Sequence, residues 1–243
     1  MTANLYSYLR SELQAAISSS FPDLSVSAGS IPLFFKSPSL SADLSTPVAC
    51  RIASLKRLSA GAVASQILSF FKWNEKFIIS DPDHYQTVTN GFICFRTSLS
   101  FQYDALKNAA SESEKTVDTV CNHQFLIEAA NLLQQTIPLL RHAEILFPST
   151  GIFKQLHFDL LDMPTEHKLI RLIAVSHAEE LYSSGAAAYF LQQLIGSLNS
   201  YMAVAPVFSN NELLTFSRVT LIRACHNRII SLLNFYSKCS AVN

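Results

Sequence analysis

Seven histidines, at positions 84, 123, 142, 157, 167, 177 and 226, are the first candidates for chemistry near neutral pH. None forms an H-E-x-x-H pair. Cys121-Asn122-His123 and Cys225-His226 are too isolated from further ligands to imply zinc. The acid pairs Asp81/Asp83, Asp159/Asp162 and Glu179/Glu180 could be drawn as general acid and base. Their simpler reading is turn formers and a solvated helix face. Serines are abundant, yet no G-x-S-x-G surrounds any of them. The six glycines lie far apart, which excludes glycine-rich phosphate loops, since these need clustered glycines for backbone to approach a ligand. The expectation is a protein without catalytic residue, metal or cofactor, and not an enzyme.

Charge is more informative by position than by sum. Lys plus Arg and Asp plus Glu are both 18, for a net charge of zero, which taken alone makes nucleic acid a poor first guess. Residues 44–74, however, hold Arg51, Lys56, Arg57 and Lys72 and no acid. Residues 213–243 hold Arg218, Arg223, Arg228 and Lys238, again without an acid. Residues 103–162 hold eight acids against four bases. Two basic surfaces separated by an acidic middle can therefore stand behind a neutral total. By helical angle Arg223 and Arg228 flank an apolar stripe on opposite sides. Arg218 falls on that stripe and is expected to pack or pair internally.

The elements that would carry these charges follow from apolar spacing. With 49% hydrophobic and 15% charged residues, the composition is that of a globular protein. Leu5, Leu9, Leu13, Ala16 and Ile17 predict a helix over 3–19, stopped at Phe21-Pro22. Its Arg10 and Glu12 would sit inside the apolar core of a secretory signal, so an amphipathic helix is expected there instead. Ile31–Lys36 reads as a short strand. Ser45 or Thr46 can cap a helix with Pro47 in its first turn, running through Val48, Ile52 and Leu55, and a second helix carries Val63, Ile67 and Phe71. Phe77–Ile79 and Phe92–Phe95, separated by turn formers including Asn90-Gly91, read as strands.

From about 104 to 117 the composition turns polar and acidic, an expected linker or long exposed helix. Beyond it only helices are predicted. One runs from Phe125 to a stop at Pro138, and others cover 139–147, 152–162, 165–182, 185–204 and 211–237. Leu191, Leu194, Ile195, Leu198 and Met202 form the cleanest stripe. The five cysteines are odd in number and unpaired in spacing, as in reduced thiols of an intracellular protein. No run reaches the ~18 apolar residues of a membrane span. A cytoplasmic protein without a membrane partner is expected.

Three stretches, in order, resemble the arginyl-tRNA synthetase family. Ala42-Asp43-Leu44-Ser45-Thr46-Pro47-Val48-Ala49-Cys50-Arg51-Ile52-Ala53, followed by Ala60 to Ile67, is similar to the G-D-x-(S/A)-x-N-x-A-x-x-L-A segment and its following helix in the N-terminal additional domain. Asn90-Gly91-Phe92-Ile93-Cys94-Phe95 is similar to the G-F-I-N-F strand of that domain. Tyr189-Phe190-Leu191 with Leu194, Leu198, Tyr201 and Pro206-Val207, then Ser217-Arg218-Val219, resemble the DALR-type anticodon-binding domain. The synthetase's H-x-G-H and K-M-S-K-S motifs, which place imidazoles and a lysine on ATP phosphates, occur nowhere in the chain. The resemblance is thus to a synthetase lacking its catalytic domain.

It departs from the family in places. Cys94 stands where an asparagine or glutamine reads a tRNA base, Pro47 where an asparagine is usual, and Ala42 where a glycine is. The resemblance implies an α+β chain. Residues 1–103 would be a small α/β domain, 104–117 an acidic linker, and 118–243 an all-α antiparallel DALR-like helix bundle. It further implies a non-catalytic tRNA-binding protein that contacts the tRNA elbow and anticodon arm. Its RNA would be tRNA, arginine tRNA included. Its protein partner would be a synthetase or tRNA-modifying enzyme to which the tRNA is presented. Arg51, Lys56, Arg57, Arg223, Arg228 and Lys238 are the expected phosphate contacts. Asn90, Phe92 and Tyr201 are the base-contact candidates, with core packing equally open for Phe92 and Tyr201. The alternative is a scaffold subunit of a synthetase or ribonucleoprotein complex, its old tRNA surfaces reused for protein contacts.

Overall fold

The computed structural model describes residues 4–35, 42–80, 88–89, 91–112, 124–146, 157–176 and 184–240. The chain divides into two compact units, Met1–Phe101 and Gln102–Asn243. It is mostly helical with one small antiparallel sheet.

In the first unit, α1 (Leu5–Ser20) opens where Asn4 Oδ1 accepts the Ser7 N–H at 2.8 Å, and it ends at Phe21. Its Leu5, Leu9, Leu13 and Ile17 are fully buried, each worth roughly 1.5–3 kcal/mol. Strands β1 (Phe34–Phe35), β2 (Leu44–Thr46), β3 (Val88–Thr89) and β4 (Phe92–Phe95) form one sheet in the order β1-β2-β4-β3, antiparallel throughout. Helices α2 (Val48–Lys56) and α3 (Ala60–Leu68) pack on each other, and both pack on β4. Pro47 itself occupies the N-cap of α2 and makes no side-chain cap bond, one position on from the expected Ser45 or Thr46 cap, while Thr46 Oγ1 accepts the Val48 N–H at 3.3 Å. Ser59 caps α3 through the Ala62 N–H at 3.2 Å.

Two expected strands shrink. Of Ile31–Lys36, among the described residues 31–35, only Phe34–Phe35 pair, and of Phe77–Ile79 only Ile78 does, in a single bridge to Thr97. The second segment is needed for packing, not pairing. Phe77 stacks on Tyr8 at 4.9 Å and meets Phe101 edge-on at 5.8 Å.

The second unit is helical. Its α4 (Leu99–Ser111) begins at the boundary, and its Leu106, Ala109 and Ala110 are buried, so residues 104–111 of the expected linker belong to a packed helix. Residues 113–117 lie outside the described ones. The long α5 (Gln124–Leu146) runs through Pro138 without stopping, a correction to the predicted break. A proline costs its own N–H and crowds the preceding turn, but at this exposed position tertiary packing of Leu132, Leu133, Leu140 and Ala143 outweighs that cost. A 3-10 turn, Phe158–Leu160, precedes α6 (Pro164–Val175), which stops short of the expected 182. Then follow α7 (Ser184–Val204) and α8 (Glu212–Ser240). α7 packs against α8, α6 and α5, and α8 also against α5 and α6.

α8 is a second correction. Of its expected single stripe, Ile222, Cys225, Ile229, Leu232 and Tyr236, all but half-buried Tyr236 are buried, but so are Leu221, Ala224, His226, Asn227 and Arg228. A helix enclosed on every side is central, and its polar residues must find partners inside. Thr136 Oγ1 lies 2.8 Å from His226 Nδ1, and Asn227 Nδ2 donates to Ala109 O at 2.8 Å and Glu112 O at 3.0 Å.

Candidate nucleic-acid interface

Arg51 projects from the middle of α2 and is exposed. It borders a groove of about 180 Å³ whose walls include Leu24, Val26, Pro32, Ile52 and Leu55. Leu55, one turn along, is 68% exposed, so the cation sits beside open apolar surface. Arg57 ends the same helix in the left-handed region, φ 54°, and is exposed. Lys56 points elsewhere and is half-buried against Asp23, whose carboxyl its Nζ hydrogen bond holds below the ordinary carboxylate range.

Gly91 directly precedes β4, whose Phe92 pairs with Thr89 of β3, a tight reversal of the kind in which glycine supplies positive φ. Gly91 has φ +81°, and a Cβ there would come within 2.4 Å of Ala60 Cβ and 3.0 Å of Cys50 Sγ. Glycine is therefore required both for the turn and for close approach to α3. Phe92 follows it, half-buried at the start of β4. Asn90 lies outside the described residues. Cys94 is buried in the sheet opposite Ser45.

The expected sites of the second unit fare unevenly. Lys238 is exposed near the end of α8. Arg223 is half-buried and pairs with Glu144 of α5, Nη2 to Oε1, at 2.9 Å. Arg228 is 2% exposed, and Tyr201 is wholly buried. Both are withdrawn as RNA contacts, because a side chain enclosed by protein offers no surface for a phosphate or a base. Helical-wheel reasoning placed Arg228 on a flank, which holds only for a helix with a solvent side, and α8 has none over this stretch.

Tyr201 belongs instead to a buried network that sequence reasoning saw only in part. Arg218 pairs internally, as expected, and its partner is Glu166: Nε donates to Oε1 at 2.8 Å. Tyr201 OH donates to the same oxygen at 3.1 Å. Oε2 accepts the Met163 N–H at 3.0 Å, the reach-back bond of a residue in the first turn of α6. Arg218 Nη1 donates to Pro206 O at 2.8 Å. Burial and the neighbouring carboxylate push the Tyr201 hydroxyl far above its usual range. Three helices and the α7–α8 connection are thereby tied to one carboxylate. Its sequence signal was Pro164 followed by Glu166, a helix-start pattern that does not reveal its distant partners.

Asp43 lies in the stretch that resembles the synthetase domain, and its place is structural. It is 1% exposed and its Oδ2 accepts both the N–H and the hydroxyl of Thr97 at 2.7 Å, tying the residues before β2 to those after β4. Among the described residues, no group of three or more His, Cys, Asp or Glu side chains could hold a metal ion. None of their helices is long and apolar enough to cross a membrane. Compared with known proteins, the chain matches no family model, no curated protein and no solved structure.

Proposed function

We propose that this chain is a non-catalytic tRNA-binding protein related to arginyl-tRNA synthetases. The first unit would contact the tRNA elbow, and the helical unit, as a DALR-like bundle, the anticodon arm. The observation that carries the reading is the pair of exposed cations on α2, Arg51 and Arg57, on a helix packed against the strand that bears half-buried Phe92. Phosphate contacts and an aromatic face then belong to one small rigid unit, at the positions where the resemblance expects RNA. Lys238 adds an exposed cation to the second unit. Lys56 and Arg223 remain candidates, since ion pairs with solvent-exposed acids are worth about 0–1 kcal/mol and yield readily to a phosphate.

Each neutralised phosphate releases a counterion, so tRNA affinity is expected to fall steeply with salt. Arg51→Ala and Arg57→Ala should each weaken filter-retained tRNA and reduce the salt slope by roughly one. Affinity indifferent to salt, or none, would sink the reading. ATP–pyrophosphate exchange with arginine is expected to be absent, and measurable exchange would overturn the non-catalytic part.

The groove beside Arg51 favours a second reading, a scaffold subunit that binds protein. Its walls are mainly apolar, and Leu55 and Leu58 stand open at 68% and 52%. A partner retained after nuclease treatment and released by Leu55→Asp would support this reading over the first.

A further inference from the structure

The residues that follow α3, Phe70 to Lys76, form a loop that none of the contacts above uses. It is closely held. Phe70 and Phe71 N–H groups donate to Ile67 O and Leu68 O at 3.1 and 3.2 Å. Tyr8 OH donates to Lys72 O at 2.6 Å, the Phe77 N–H to Asn74 O at 2.9 Å, and Ser98 Oγ to Lys76 O at 2.9 Å. Buried Phe71 packs edge-on against Trp73 at 5.1 Å and tilted against Phe95 at 5.4 Å. The Ile79 N–H donates to Arg96 O at 2.9 Å, which brings Arg96 alongside the end of the loop.

On this backbone stand side chains that reach solvent. Phe70 is 53% exposed, and Trp73 is only half-buried. Lys72, Lys76 and Arg96 are exposed and make no ion pair among the described residues. The loop's own acid, Glu75, accepts from Ser80 Oγ at 3.3 Å. An apolar partner covering Phe70 would strand these cations without countercharge. A nucleotide brings a π face and a phosphate in the same ligand, which matches the set.

We propose that the Phe70–Lys76 loop, with Arg96 beside it, seats an unpaired nucleobase by stacking while Lys72, Lys76 and Arg96 meet the flanking phosphates. This rests on the reading of the chain as an RNA-binding protein. Trp73 is the single tryptophan, so its emission reports on this loop alone. Titration of the full chain with a uridine decamer, and separately with unfractionated tRNA, should quench that emission in step with filter retention and reverse with added salt. Phe70→Ala, at an exposed site that leaves circular dichroism unchanged, should weaken decamer binding roughly 5- to 150-fold. Retention of RNA with unchanged emission and an inert Phe70→Ala would overturn the loop's role and leave tRNA binding standing. Retention of neither RNA would sink both. Emission that responds to a co-purifying protein and not to RNA overturns the base-stacking assignment in favour of a protein contact.

Discussion

Glu166→Gln is the sharpest test of the helical unit. The substitution keeps volume but removes the charge that three donors address, and leaves the Arg218 guanidinium 6% exposed beside a neutral amide. Removing one partner from a buried ion pair costs about 3–5 kcal/mol, most of it the desolvation of the charge left behind. For a domain of this size that is a loss of roughly 6–20 °C in Tm. Tyr201→Phe deletes one hydrogen bond to a charged acceptor and should cost about 1.5–3 kcal/mol, with tRNA affinity unchanged because the ring is enclosed. Urea denaturation followed by far-ultraviolet circular dichroism reads both. Pairing Glu166→Gln with Arg218→Met closes a double-mutant cycle. The double variant should be no less stable than Glu166→Gln alone, since the stranded charge has gone. A loss below about 1 kcal/mol for Glu166→Gln, or strict additivity in the cycle, would refute the account of this network.

Further expectations concern thiols, alkali and two backbone sites. Burial pushes the Cys225 thiol far up, so a thiol reagent should modify half-buried Cys50 and Cys239 in the native protein and Cys225 only after unfolding. Mass spectrometry of the labelled chain checks this, and native labelling of Cys225 contradicts it. Tyr201 and Cys225 both have raised folded pKa values, so the unfolded chain gives up those protons first as pH rises. Each contribution is complete below the group's unfolded pKa, about 9 for Cys225 and about 10 for Tyr201, and falls above it by about 1.4 kcal/mol per pH unit. Equal urea midpoints at pH 8 and 10.5 would contradict it. Gly91→Ala should lose about 1–3 kcal/mol from positive φ and contact with Ala60, seen as a lower Tm, and an unshifted Tm would count against the hairpin. Pro138→Ala should stabilise the chain by up to about 3 kcal/mol if α5 is continuous through that exposed site, whereas a true helix end would gain nothing.

Local rules carried much of the fold. Leu5, Leu9, Leu13 and Ile17 sit at helical spacing and all are buried in α1. Gly91 reads as part of a turn and has φ +81°, because glycine tolerates that backbone at no steric cost. The Leu191–Leu198 stripe of α7 and the starts of α2 and α3 were legible for the same reason: each depends on neighbours within a few positions. The absence of synthetase catalytic motifs is likewise a property of the sequence alone.

Tertiary structure decided whatever depended on the number of neighbours around an element. Pro138 reads as a stop, yet side chains on either side of it pack well enough to carry α5 through. Arg223 and Arg228 look equivalent on a helical wheel. Packing leaves one paired near the surface and encloses the other, because α8 is surrounded rather than laid on a core. Tyr201 could have stacked on RNA or filled the interior, and the choice rested on Glu166, thirty-five positions away, whose carboxylate needed donors once it was buried. Hydrophobic periodicity shows which face of an element seeks cover. How many faces are covered, and which polar groups must then satisfy one another, is settled only when the chain has closed around them.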